Sequence, residues 1–218
     1  MNKKYILWDN DGVLVNTEPW YFKANQNALS EIDIKLTKDN YMHYMQSGIS
    51  VWTIPKEKGI PEHLIKKQRQ KRDALYQTYL TTENIEINGV INTLEILGKY
   101  FTMAIITTSK KEDFELIHHQ RNILDYMNFY LALGDYTNAK PSPDPYLAGM
   151  KKFDATPEEC IVIEDSARGL KSALNANIDC IIIKNAFTKR HDFSGAKKII
   201  DTITMLPKFL IENDRAEL

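Results

Sequence analysis

Hydrophobic residues gather in short unbroken runs along this chain, and helix-like patterns of polar and apolar positions separate the later runs. Short apolar runs without alternation are typical of strands buried on both faces, as in a parallel sheet. Five runs rich in Ile, Val, Tyr or Phe predict such strands: Tyr5–Trp8, Phe101–Ile106, Phe129–Leu133, Cys160–Ile163 and Cys180–Ile183. A sixth short run, Lys198–Ile200, is a candidate edge strand.

Helical periodicity follows three of these runs. It covers Lys110–Asn122, Asp144–Phe153 and Ser166–Asn175. Strands that alternate with helices in this way are the sequence form of a doubly wound sheet with helices on both faces. We therefore predict an α/β fold class with a doubly wound parallel sheet.

The region from about Thr17 to Glu83 breaks this rhythm, because it contains no convincing strand run. Its helical patterns lie near Trp20–Glu31, Thr37–Met45 and Pro61–Leu80. Since the predicted strands lie outside this region and can form a sheet without it, we predict an inserted helical subdomain with hinges at Val13–Glu18 and Thr82–Gly89. The predicted domains are thus a core formed by 1–16 and 84–218, and a helical domain formed by 17–83.

The composition limits which binding partners and which cellular compartment we expect for this protein. The 28 Lys and Arg residues against 29 Asp and Glu give a net charge of −1, so no basic surface is expected for nucleic acid or an anionic membrane. No apolar stretch reaches the roughly 18 residues of a transmembrane helix, and the apolar run before Asp9 is too short for a signal peptide. Two cysteines cannot form a disulfide framework. We expect a soluble, cytoplasmic protein.

Polar side chains that could act in catalysis or ligand binding follow the predicted strands. The first strand is followed by Asp9-Asn10-Asp11-Gly12, the second by Thr107-Thr108-Ser109, the third at some distance by Lys140, and the fourth by Glu164-Asp165-Ser166. Ligands bind outside the carboxyl ends of parallel strands, so these groups are expected to meet at one edge of the sheet. Each motif alone is a weak signal, and their joint occurrence in this order carries the inference.

These residue types together point to phosphoryl transfer. Several carboxylates in one cleft cannot all ionise unless a cation neutralises them, and an oxygen-only donor set favours Mg²⁺, which also binds phosphate oxygens. Hydroxyls, backbone N–H groups and a lysine can hold the remaining phosphate oxygens. An aspartate in line with the phosphoryl group can form an aspartyl-phosphate, and a second aspartate two residues later can protonate the leaving oxygen and then deprotonate water.

In these four motifs and their order, the chain resembles the haloacid dehalogenase-like hydrolase superfamily, and within it the phosphoglucomutase-like phosphatase branch. The resemblance extends from about Lys4 to Ile183. It implies a Rossmann-like doubly wound parallel sheet of strand order 5-4-1-2-3 with an inserted helical cap domain that covers the site. The residue between the two aspartates, Asn10, departs from the commoner apolar residue.

The resemblance also implies a role for each matching residue. Asp9 would be the nucleophile and a Mg²⁺ ligand, and Asp11 would be the general acid/base and lend its backbone carbonyl to the metal. Phosphate would be bound by the Thr107 side chain, the Thr108 N–H and the Lys140 ammonium group. Glu164 and Asp165 would hold Mg²⁺ directly or through water.

The helical insertion carries fewer signals. The loop Ser47–Ser50 resembles the cap loop that faces the active site, which suggests Tyr21, Gly48, Ser50 and Trp52 as substrate-specificity residues, although core packing is the favoured interpretation of the two aromatic residues. The phosphoglucomutases place an arginine just after this loop and a histidine shortly after the first motif. This chain has Val51-Trp52 and Tyr21 there.

The function that we predict is Mg²⁺-dependent hydrolysis of a small phosphorylated metabolite, such as a sugar phosphate, through an aspartyl-phosphate. The alternative is a phosphosugar mutase of the β-phosphoglucomutase-like kind on the same scaffold. Val51-Trp52 in place of the mutase arginine and Tyr21 in place of the mutase histidine count against it. A dehalogenase is disfavoured, because that reaction requires neither a second aspartate such as Asp11 nor Mg²⁺. A phospho-receiver switch, which is a binding module, would lack the helical insertion.

Overall fold

The structure, a computed structural model, describes residues 3–212. The chain divides into two compact units, and it passes from one to the other between Asn16 and Thr17 and between Ile85 and Glu86. We call the first the sheet unit (Met1–Asn16 with Glu86–Leu218) and the second the helical unit (Thr17–Ile85). The second boundary was predicted slightly earlier, at 83/84. That the units act as a catalytic core and a cap stays a prediction.

The sheet unit contains one six-stranded sheet in which all neighbouring strands are parallel. Its strands, in chain order, are β1 (Tyr5–Trp8), β2 (Thr102–Ile106), β3 (Phe129–Leu131), β4 (Cys160–Glu164), β5 (Asp179–Ile183) and β6 (Lys198–Ile200). The spatial order is β3-β2-β1-β4-β5-β6. The predicted α/β fold with a doubly wound parallel sheet is confirmed, and the sixth run forms the edge strand.

The central strands are buried on both faces, which explains their unbroken apolar sequence. Ile6, Leu7 and Trp8 of β1 have no exposed surface. On one face, Leu7 and Val162 pack with Tyr146 and other buried side chains in one continuous cluster. Each fully buried side chain of this size contributes about 1.5–3 kcal/mol to folding. The carboxyl ends of these strands are therefore held on a rigid base.

Among the described residues, the sheet unit has four α-helices: α5 (Val90–Leu97), α6 (Lys111–His118), α7 (Asp144–Lys152) and α8 (Ala167–Asn175). Single turns of other helix types cover Asn122–Tyr126, Pro157–Glu159, Ile203–Met205 and Lys208–Glu212. The helix predicted over Lys110–Asn122 was too long, because α6 ends at His118 and Asn122 begins a separate 3₁₀ turn.

The helical unit consists of α1 (Glu18–Ser30), α2 (Lys38–Ser47), α3 (Thr53–Glu57) and α4 (Glu62–Thr82). Helix α2 begins where the Thr37 side chain accepts a hydrogen bond from the Asn40 backbone N–H, and it ends at Gly48, which has a φ of 68°. The periodicity did not predict α3, which is too short to show a helical repeat. Among residues 3–212, none of the helices has the length and apolar character needed to span a bilayer.

Candidate active site

The register of the sheet brings the first and fourth motifs side by side. Trp8 at the end of β1 lies opposite Ile163 of β4, and the Asp9 N–H donates to the Ile163 carbonyl over 2.9 Å. Carboxylate oxygens of Asp9, Glu164 and Asp165 consequently lie within 4.8 Å of one another, and all three residues are buried. The structure thus brings these sequence-predicted residues together at the carboxyl edge of the sheet.

Lys140 holds two of these carboxylates. Its Nζ atom donates to Asp9 Oδ1 over 2.5 Å, to Glu164 Oε1 over 2.8 Å and to the Ile106 carbonyl over 2.8 Å. Burial alone would lower the pKa of Lys140, but the charges of Asp9 and Glu164 outweigh it and raise the pKa above its ordinary value. Burial, and then the Glu164 charge, raises the pKa of Asp9 to about 7 against the opposing effect of Lys140. The ammonium group is therefore a fixed positive charge beside Asp9.

Both carboxylate oxygens of Glu164 accept hydrogen bonds from neighbouring residues. Its Oε1 atom accepts from Lys140 and from the Tyr146 hydroxyl at 2.9 Å, and its Oε2 atom accepts from the Asp165 N–H, the Ser166 N–H and the Ser166 hydroxyl. Although burial opposes ionisation, Lys140 and these donors lower the pKa of Glu164. Both oxygens are engaged within the protein, which leaves Asp9 and Asp165 as the carboxylates better suited to hold a cation directly.

Gly169 in the first turn of α8 makes room for this anchored carboxylate, because a Cβ atom there would overlap the Glu164 side chain. We expect Gly169→Ala to destabilise the protein by about 2 kcal/mol or more, although alanine is normally the better helix former. Urea unfolding measures the change. Lys171→Ala, at an exposed position of the same helix, is the matched control and should stay within about 0.5 kcal/mol of the wild type. A Gly169→Ala variant as stable as this control would contradict the packing argument.

The Asp11 carboxylate lies among hydroxyl donors. Its Oδ2 atom accepts from the Ser109 hydroxyl over 2.5 Å and from the Thr107 hydroxyl over 3.3 Å. The Ser109 N–H in turn donates to Thr107 Oγ1 over 3.0 Å. The neighbouring Thr108 has its hydroxyl 3.4 Å from Arg168 Nη2. The second motif therefore orders the Asp11 side chain, and Ser109, for which no role was predicted, contributes to the site.

The loop after β1 approaches the fourth motif closely. Gly12 has a φ of 86°, which favours glycine, and a Cβ atom there would overlap Asp165 Oδ2. The same oxygen accepts from Asn185 Nδ2 over 2.6 Å. Asn185 was not predicted as a site residue, although its position just after β5, at the same edge of the sheet, was an available signal.

The candidate specificity residues of the helical unit differ in exposure. Gly48 and Ser50 are exposed and Tyr21 is half-buried, whereas Trp52 is buried and its Nε1 donates to Asn25 Oδ1 over 2.9 Å. Trp52 therefore packs in the interior of this unit, as the favoured interpretation of the two aromatic residues predicted. Whether these four residues contact a substrate stays a prediction.

A buried cation in the helical unit was missed from the sequence. Arg72 is 5% exposed, and its Nη1 atom donates to the Tyr21 hydroxyl over 2.5 Å and to Asn25 Oδ1 over 3.1 Å. Its guanidinium group lies 4.7 Å from the centroid of the Tyr21 ring. In the sequence Arg72 stands in a run of lysine, arginine and glutamine, which is typical of an exposed helix face. The helical unit thus contains a buried arginine although none follows the Ser47–Ser50 loop, and its Nε atom is paired with Asp73 Oδ1 over 2.7 Å.

The chain is similar in sequence to known proteins. A family model described as haloacid dehalogenase-like hydrolase matches residues 6–183. A CBBY-like protein of Arabidopsis thaliana is 38% identical over 91% of this chain and 68% of its own length. A phosphorylated carbohydrates phosphatase of Thermotoga maritima is 27% identical over 81% of this chain and 82% of its own length.

A solved structure has the same fold. The β-phosphoglucomutase of Clostridium difficile superimposes with a TM-score of 0.77, covers 99% of this chain and 98% of its own chain, and is 20% identical. At that identity the likeness concerns the fold alone. The resemblance seen in the sequence motifs is confirmed by the family match. This chain belongs to the haloacid dehalogenase-like hydrolase family.

Proposed function

We propose that this protein is a Mg²⁺-dependent phosphatase that hydrolyses a small phosphorylated metabolite, a sugar phosphate or a similar ester, through an aspartyl-phosphate on Asp9. The observation that carries the proposal is the buried set of Asp9, Glu164 and Asp165 with the Lys140 ammonium group bonded to two of its members. The kinship with a protein named as a phosphatase of phosphorylated carbohydrates supports this substrate class.

The donor set fits a hard divalent cation. Three buried carboxylates against one lysine leave an excess of negative charge, and all the candidate ligand atoms are oxygens. Asp9, Asp165 and the backbone carbonyl of Asp11 would hold Mg²⁺, and Glu164 would act through Lys140 or through water. Bound there, the ion supplies neutralisation of charge on the transferred phosphoryl group.

The chain's own residues account for both halves of the reaction. Asp9 attacks phosphorus, the bond from phosphorus to the ester oxygen breaks, and Asp11 donates its proton to the departing oxygen. Asp11 then takes a proton from a water molecule that attacks the same phosphorus, and the bond to Asp9 breaks to release phosphate. Lys140 fixes the Asp9 carboxylate, and Thr107 and the Thr108 N–H bind the phosphoryl oxygens. Tyr21, Gly48 and Ser50 of the helical unit remain the candidates for selecting the alcohol, and Trp52, which is buried, would act on it only by supporting its neighbours.

A screen of phosphate esters tests this proposal. The purified protein would be incubated with Mg²⁺ and a panel of sugar phosphates, other small phosphorylated metabolites and p-nitrophenyl phosphate, and released phosphate would be measured. We expect Mg²⁺-dependent release, fastest from a member of the sugar phosphate group. No release from any ester, with the protein folded and Mg²⁺ present, would contradict the proposal. Conversion of β-glucose 1-phosphate to glucose 6-phosphate with little free phosphate would indicate the mutase instead.

Binding of Mg²⁺ should depend on pH, because burial raises the pKa of Asp9 to about 7. Below that pH the protonated carboxyl group must lose its proton before it can bind a cation, whereas above it the carboxylate is already ionised. We therefore expect the apparent Mg²⁺ affinity to rise about tenfold per pH unit as the pH approaches 7 from below, and to level off above it. Calorimetric titration of Mg²⁺ between about pH 5.5 and 8.5 measures this dependence. A constant affinity over that range would contradict it.

A further inference from the structure

Asn10, the polar residue between the two aspartates of the first motif, is fully buried and is hydrogen-bonded at both ends of its amide group. Its Oδ1 atom lies 2.8 Å from His118 Nε2, and its Nδ2 atom donates to Asp11 Oδ2 over 3.2 Å. His118 is the last residue of α6, is also buried, and packs against the Phe114 ring at 4.4 Å. A side chain from a surface helix is thus connected through one amide to the Asp11 carboxylate.

His118 holds the oxygen end of the Asn10 amide, and the Asp11 carboxylate holds its NH₂ end. Burial lowers the pKa of His118 to about 4, so the ring is neutral near pH 7 and carries a single N–H group. Because Asn10 Oδ1 can only accept, the proton resides on Nε2, and the His118 Nδ1 atom has no hydrogen-bond partner among residues 3–212. With the amide oxygen held by His118, the amide NH₂ group faces Asp11.

Three donors then converge on one oxygen of Asp11. Oδ2 accepts from Asn10 Nδ2, from the Thr107 hydroxyl and from the Ser109 hydroxyl. Donors that crowd one oxygen fix the rotation of the carboxyl group and favour protonation of the other oxygen, Oδ1. In the proposed reaction the single Thr107 hydroxyl proton is given to a phosphoryl oxygen, so Asn10 and Ser109 are the donors that hold Asp11 at that stage. An apolar residue at position 10 would supply no such bond.

We propose that Asn10 and His118 are positioning residues for Asp11: His118 orients the Asn10 amide, and Asn10 holds the Asp11 carboxyl group so that its proton on Oδ1 is delivered to the leaving oxygen. The inference rests on the proposed phosphatase function, in which Asp9 bonds to phosphorus while the ester bond breaks and the Asp11 proton moves to the departing oxygen. In this proposal Asn10 and His118 act through Asp11 and do not contact the substrate.

The dependence of the rate on the leaving group tests this role. p-Nitrophenolate departs readily without a proton, whereas the more basic phenolate of phenyl phosphate needs one, and the two esters have similar shapes. For Asn10→Leu with Mg²⁺ we expect kcat/KM to fall about tenfold to a hundredfold for phenyl phosphate and less than about threefold for p-nitrophenyl phosphate. Equal losses for both esters, or no loss for either, would overturn the inference.

Two further variants separate positioning from packing. Asn10→Leu leaves the His118 N–H unpaired, whereas the double variant Asn10→Leu/His118→Leu removes both polar groups and should recover stability in urea unfolding. The double variant should keep the selective loss on phenyl phosphate, and this measurement stands if the single variant does not fold. His118→Gln retains a donor toward Asn10 and should behave like the wild type; a selective loss in this variant, or none in the double variant, would refute the inference. A wild-type protein that releases phosphate neither from these two esters nor from any sugar phosphate would instead refute the proposed function.

Discussion

Asp9→Asn is expected to lower kcat by about a thousandfold or more, because an amide oxygen is a poor nucleophile toward phosphorus. The substitution keeps the shape of the side chain and an oxygen that can accept the hydrogen bond from Lys140, now 2.5 Å from Asp9 Oδ1. It also removes one of three clustered negative charges, so we expect a free energy of unfolding at least equal to that of the wild type. Released phosphate and urea unfolding, measured on the same preparation, provide the two readouts.

Asp201→Asn is the matched control for this experiment. Asp201 follows strand β6 as Asp9 follows β1, but its side chain is 74% exposed and pairs with Lys184 on the surface. Its replacement should leave kcat within about a factor of two, because exposed ion pairs contribute little. A folded Asp9→Asn variant that keeps more than a few per cent of wild-type turnover would exclude Asp9 as the nucleophile.

The second large effect concerns the metal. A chelator should abolish turnover, and Mg²⁺ should restore it whereas Zn²⁺ should not, because the candidate ligands are all oxygens. Asp165→Asn removes a carboxylate whose Oδ2 accepts from Asn185 Nδ2 over 2.6 Å, and we expect the apparent Mg²⁺ affinity to fall on the order of 10²-fold. Turnover measured against Mg²⁺ concentration gives this affinity.

Asp201→Asn is also the control for the test of Mg²⁺ dependence. Asp201→Asn should leave the Mg²⁺ dependence unchanged, since Asp201 lies outside the buried carboxylate set. Full turnover in the presence of chelator, or an Asp165→Asn variant with wild-type Mg²⁺ dependence, would contradict the assignment of Asp165 as a ligand.

The sheet and the convergence of the motifs were predictable because one physical constraint governs both. A strand buried on both faces must be apolar throughout, so its end is visible in the sequence as the first polar residue, as at Asp9. Parallel strands share one carboxyl edge, and this brings Asp9 close to Glu164 whatever the sequence between them.

Contacts that depend on side-chain packing were not predictable in this way. The five hydrogen bonds that engage Glu164 depend on the positions of Lys140, Tyr146 and the start of α8, which no local pattern encodes. Arg72 stands in a polar stretch of sequence and yet is buried beside Tyr21. A polar residue in a buried loop, such as Asn10, could be recognised as unusual, but its partner His118 lies on a distant helix.

The most direct test of the central claim is to trap the phosphoryl group on Asp9. In Asp11→Asn, p-nitrophenyl phosphate can still phosphorylate the enzyme because its leaving group needs no acid, whereas hydrolysis of the aspartyl-phosphate lacks its base. We predict a rapid release of about one p-nitrophenol per chain followed by slow turnover, with phosphate located on Asp9 in the tryptic peptide Tyr5–Lys23 by mass spectrometry. Release without a burst while the wild type is active, or phosphate on any other residue, would contradict an aspartyl-phosphate mechanism at Asp9.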